Sequence, residues 1–121
     1  MTINLDDLDE EQRNKIQNLA NLQQTYEIIE TQRRQTESHL RETEFAIEEL
    51  DKVNSDDTQV YKSLGGILVL SEKNKLLDEK KSLKVTLEMR LKTLDQKKSR
   101  LENQIKTLTS SIQTDLQNKG S

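Results

Sequence analysis

Steps of three and four residues alternate along most of this chain. Counted from Leu5 they reach Leu8, Gln12, Lys15, Leu19, Leu22, Tyr26, Ile29, Arg33, Thr36, Leu40, Thr43, Ile47 and Leu50. A second run passes through Leu91, Leu94, Lys98, Leu101, Ile105, Leu108 and Ile112, preceded by Leu83 and Leu87 at a slightly irregular spacing. One narrow apolar stripe, with charge on the other faces, predicts two long helices over residues 5–50 and 76–116 that pack knobs into holes. A helix lying on a globular core would carry a wider stripe.

The pattern changes between the two runs. Asp51-Lys52-Val53-Asn54-Ser55-Asp56-Asp57 is turn-forming, and Gln59 to Ser71 reads as two short strands about Gly65-Gly66, which suits a tight hairpin turn. Ser71 is the expected N-cap of the second helix, with Glu72 in its first turn. The chain therefore divides into an N-terminal helix (1–52), a loop and hairpin (53–71) and a C-terminal helix (72–118), one domain over 1–121. Ile67-Leu68-Val69-Leu70 is continuously apolar, so both faces of that strand call for burial. An isolated hairpin is only marginally stable and exposes its edges, which predicts that several hairpins pair and close into a small barrel. A hairpin that merely capped its own coiled coil would leave those edges unexplained. The expected fold is mainly α: a long antiparallel two-helix coiled coil joined by one β-hairpin that assembles into an oligomeric β-barrel head.

Composition supports this reading. Only 31% of residues are hydrophobic and 34% are charged, which points to coiled coil or disorder and away from a compact core. Periodic spacing, and helical runs without proline or glycine, favour order. Residues 1–59 hold fifteen acidic against six basic side chains, net −9, and residues 60–121 seven against thirteen, net +6. Opposite charge on the two arms favours antiparallel pairing within one chain, although each exposed pair adds little stability.

Catalytic and metal chemistry finds no foothold. There is no cysteine, hence no disulfide or thiolate site. His39 is the only histidine, set on a polar helical face. The acidic pairs Glu48-Glu49 and Asp56-Asp57 lack further ligands at loop spacing, and Gly65-Gly66 lacks the lysine of a phosphate loop. Lys80, Lys81, Lys84, Lys97, Lys98 and Arg100 are interleaved with acids and face an acidic arm, which argues against nucleic acid. Acidic residues crowd the first dozen positions where a signal peptide would be basic and then apolar, and no run approaches the roughly 18 apolar residues of a membrane span. A cytoplasmic protein that is no enzyme, without cofactor, membrane or nucleic acid, is the expectation.

Val60-Tyr61-Lys62-Ser63-Leu64-Gly65-Gly66-Ile67-Leu68-Val69, set between two heptad helices, resembles the hairpin of beta-type prefoldin subunits, and the likeness covers essentially the whole chain. The C-terminal seam through Leu83, Leu87, Leu91, Leu94, Leu101 and Ile105 strengthens it, as does Leu87-Glu88-Met89-Arg90-Leu91. A single hairpin matches the beta type. Gly66 departs from the bulkier residue of many archaeal beta subunits, whereas some eukaryotic beta-type paralogues share the glycine pair, so the resemblance leaves both open. The resemblance implies a jellyfish-shaped hexamer of two alpha-type and four beta-type subunits, its double-barrel head built from hairpins. Val60, Tyr61, Leu64, Gly65, Gly66, Ile67, Leu68, Val69 and Leu70 would be the oligomerisation residues. It further implies ATP-independent capture of unfolded polypeptides and their delivery to a group II chaperonin, with Ile3, Leu5, Leu8, Leu108, Ile112 and Leu116 at the client-binding tips. Those residues equally suit ordinary seam packing, and a structural tether or adaptor for one defined partner is the rival function. The polar seam residues Gln12, Lys15, Arg33, Thr36, Thr43 and Lys98 are expected to fix register and to weaken the arms enough for them to bend or open.

Overall fold

A computed structural model describes residues 9–53 and 59–120. Helix α1 spans Glu10–Asp51, strand β1 Gln59–Leu64, strand β2 Ile67–Glu72 and helix α2 Lys73–Gly120. The sequence positions Ile3, Leu5, Leu8, Asp56 and Asp57 lie outside the described residues. The rest form two compact units: one made of residues up to 32 and from 94 onward, which carries the chain ends, and one of residues 33–93, which carries the hairpin.

Helix α1 begins with a reciprocal cap. The Gln12 backbone N–H donates to the Asp9 carboxylate at 2.8 Å, and the Asp9 N–H donates to the Gln12 side-chain carbonyl at 3.2 Å. Two of the otherwise orphaned amides of the first turn are thereby satisfied. At the other end Lys52 and Val53 donate backbone bonds to the Glu49 and Leu50 carbonyls, tightening the last turn.

Every described position of the α1 count, from Gln12 to Leu50, is buried or half-buried, and so is every α2 position from Leu83 to Ile112. In the hairpin unit the core is Leu40, Leu50, Leu76 and Leu87, joined by Thr36 and Thr43. The irregular α2 spacing has a packing consequence. Leu83, Leu87 and Leu91 follow at two successive steps of four, a stutter that locally unwinds a supercoil and turns its middle residue toward the axis. Leu87 is accordingly only 3% exposed. Counting back from the bond between the Lys73 ammonium and the Val53 carbonyl, Leu87 lies level with the α1 stretch from Thr36 to Thr43. There Leu40 is flanked on the seam by the small Thr36 and Thr43, which leave room for a leucine on the axis. Thr43, also 3% exposed, turns its hydroxyl onto the His39 carbonyl at 2.8 Å, so the core holds no unsatisfied hydroxyl at that position.

β1 and β2 pair antiparallel from Gln59↔Glu72 to Leu64↔Ile67. Gly65 takes φ 60° and Gly66 does not share the positive value, the pattern of a two-residue type II′ turn. The expected N-cap at Ser71 is displaced. Ser71 and Glu72 are still paired with Val60 and Gln59, so the helix cannot begin until Lys73, and its first turn holds no acidic residue. A Cβ added at either glycine meets nothing within 4 Å, so only the dihedral distinguishes them. Gly65→Ala is expected to cost about 1–2 kcal/mol, the penalty of a left-handed backbone for an L-residue, and Gly66→Ala to be nearly neutral. Denaturant midpoints of the two variants check this; equal losses would contradict it.

Candidate functional site

The candidate residues fall on two surfaces, one on the hairpin and one in the chain-end unit. Alternation along the strands sorts the hairpin into two faces. Val60, Lys62 and Leu64 share one with their partners Ser71, Val69 and Ile67; Tyr61 and Ser63 share the other with Leu70 and Leu68. The first face is turned to α2, because the Lys62 ammonium reaches the Glu79 carboxylate at 2.8 Å. Val60, Lys62 and Ser71 are half-buried there. The second face is bare: Leu68 is 72% exposed and Tyr61 64%. Among the described residues the sheet has two strands, so each offers one edge unpaired within the chain. Toward the turn even the first face is open, with Leu64 47% and Ile67 64% exposed, so one chain covers only the helix-proximal part of one hairpin face and leaves the other bare.

The Lys62 to Glu79 contact is a tie the sequence pattern did not show. Its hydrogen bond to Lys62 is the main cause that holds the Glu79 carboxyl below the ordinary 4.5, against a smaller upward push from burial. A depressed folded value means the stabilisation is present above 4.5 and is lost as pH falls through the folded value. The denaturant midpoint of the native chain is expected to exceed that of Glu79→Gln near neutral pH, the difference vanishing as pH drops below 4.5. A difference independent of pH would contradict the assignment.

In the chain-end unit, contacts across the pair run antiparallel. The Lys15 ammonium bonds Asp115 at 2.7 Å and Ser111 at 2.9 Å, the Tyr26 hydroxyl donates to Glu102 at 3.2 Å, and Lys98 pairs with Glu30 at 2.9 Å. Lys98 also sits 6.0 Å from the Tyr26 ring centroid. The hydrogen bond to Asp115 raises the Lys15 pKa above its ordinary value, burial acting the other way. Burial, then the bond to Glu102, raises that of Tyr26. Of the polar seam residues, Lys15 and Lys98 make specific partners across the pair, whereas Arg33 bonds Glu37 within its own helix at 3.0 Å.

Leu108, Ile112 and Leu116 are all half-buried on α2. Their surroundings differ. Leu108 borders two shallow, open grooves, one lined by Arg100, Asn103, Thr107 and Ser111 of α2 and the other by Asn18, Asn21, Leu22 and Thr25 of α1. Ile112 and Leu116 close with Ile16, Gln12 and Asp115 around a cleft too narrow to admit water. Among the described residues no cluster of metal-ligating side chains occurs, and no helix is long and apolar enough to cross a membrane.

Two long helices joined by a hairpin, with one hairpin face left bare, define a coiled-coil subunit built for assembly. A family model described as prefoldin subunit matches residues 13–119. The prefoldin subunit beta of Archaeoglobus fulgidus is 44% identical over 89 residues, covering 74% of this chain and 76% of its own. That of Thermococcus onnurineus is 36% identical over 98 residues, with 81% and 84% covered. The crystal structure of the prefoldin beta subunit from Thermococcus strain KS-1 superposes with a TM-score of 0.80 at 29% identity, covering 91% of this chain and 96% of that one. The chain belongs to the prefoldin family, in its beta type. Membership carries a chaperone-family role and hetero-oligomeric assembly with other prefoldin subunits.

Proposed function

We propose that this chain is a holdase subunit that acts without ATP, gripping unfolded polypeptides at the coiled-coil tips and passing them to a group II chaperonin in the cytoplasm. The whole of 1–121 acts as one prefoldin beta-type domain. Two alpha-type and four beta-type subunits would join through the hairpins into a barrel head, with Val60, Tyr61, Leu64, Gly65, Gly66, Ile67, Leu68, Val69 and Leu70 at the joints. The observation that carries this reading is the bare hairpin face of Tyr61, Leu68 and Leu70 beside unpaired strand edges. Apolar strand surface of that kind is an aggregation hazard unless other hairpins cover it. Of the tip residues, Leu108 has groove access, Ile112 and Leu116 lie at the closed cleft, and Ile3, Leu5 and Leu8 complete the set by sequence position.

The chain assembled with its alpha-type partner is expected to suppress aggregation of several unrelated denatured proteins without nucleotide, and a chaperonin added with ATP to release them folded. Protection of a single partner alone would instead establish the tether.

A further inference from the structure

We propose that Lys15, Asp115 and Ser111 form a latch over an apolar client site walled by Ile16, Ile112 and Leu116. The inference rests on the tip reading above and adds a control to it. Lys15 sits on the seam of α1, where an apolar residue would pack best, and its ammonium reaches across to Asp115 at 2.7 Å and Ser111 at 2.9 Å. Ser111 and Asp115 are one helical turn apart, so a single cation spans both. Each member of the ion pair adjoins a wall residue in sequence: Ile16 follows Lys15, and Leu116 follows Asp115. The pair therefore ties together the two walls of a cleft that admits no water while it holds.

Its strength suits a latch. The Lys15 and Asp115 side chains are 24% and 29% exposed, and ion pairs in contact with water are weak. Helix pairs near chain ends also open locally at small cost. Opening exposes three branched aliphatic side chains from facing helices, the surface that takes an aliphatic or aromatic side chain of a non-native polypeptide. The incoming side chain then replaces, with apolar burial, what the broken pair supplied.

The test uses the full chain in its assembled form. The sequence has no cysteine, so Gln17→Cys with Gln113→Cys, both exposed, admits a spin-label pair that reports the separation of the two helices. Reduced, carboxymethylated α-lactalbumin, which stays unfolded, serves as client. Lys15→Gln and Asp115→Asn, made singly, are expected to lengthen and broaden the label distance and to tighten client binding about two- to fivefold, the range open to an ion pair that keeps contact with water. Lys15→Asp combined with Asp115→Lys should return both readouts toward the native values. Unchanged distances in the single variants would overturn the latch, while the tip reading would stand as long as Leu108→Ser still weakened binding. Longer distances without tighter binding would overturn the cleft as a client site, and the tip reading would then stand or fall on Leu108→Ser alone.

Discussion

Leu68→Asp combined with Leu70→Asp is expected to dissolve the assembly into free chains while leaving helix content unchanged. In the single chain both leucines are exposed, Leu68 at 72%, so two aspartates there disturb little of its own packing. In a closed barrel the same positions meet other hairpins. Two leucines would then forfeit about 1.5–3 kcal/mol of burial each, and two carboxylates would have to be desolvated without partners, which costs more again. The effect thus falls on assembly almost alone. Light scattering would show the mass collapse and circular dichroism the retained helix; an intact oligomer would mean that this face points to solvent and that assembly proceeds through strand edges only.

Leu87→Ala is expected to be among the most damaging single substitutions in the helices. The side chain is 3% exposed at the centre of the α2 stutter, level with an α1 stretch in which Leu40 is flanked by the small Thr36 and Thr43, so little bulk besides Leu40 is at hand to refill the space. Leucine truncation at a site that cannot collapse costs about 2–5 kcal/mol. Leu108→Ala, half-buried and open to two grooves, should cost well under half as much. Thermal midpoints compared at one protomer concentration check the order, since assembly couples midpoint to concentration. A Leu108→Ala loss equal to that of Leu87→Ala would contradict the view that the stutter centres the packing.

The seam was legible because two positions in seven repeat over many turns, and every described seam residue is buried or half-buried. The hairpin was legible from Gly65-Gly66 between apolar strands. What escaped the pattern depends on pairing register, which neither helix carries by itself. The charge imbalance between the arms anticipates the Glu30 to Lys98 pair, yet Lys15 to Asp115 runs in the opposite sense, because net charge sums over all faces whereas an ion pair needs two residues at one level. Thr36 and Thr43 read as interruptions of an apolar stripe; they are core residues, since a β-branched side chain that returns its hydroxyl to its own helix can be buried without loss, as Thr43 shows. The Asp9 cap was visible as aspartate three residues before glutamine, but the seam count ran through it. Ser71 failed as a cap because the strand ladder held its backbone first. That both faces of β2 call for burial followed from its continuous apolar run, while which face turns toward α2 needed the Lys62 contact.

The most direct test replaces Leu108, Ile112 and Leu116 together by serine and measures, on the same samples, assembly mass and protection of denatured proteins from aggregation. The account predicts the full assembled mass with most of the protection gone. Protection retained at full mass would contradict it, since the clients would then be held elsewhere on the molecule.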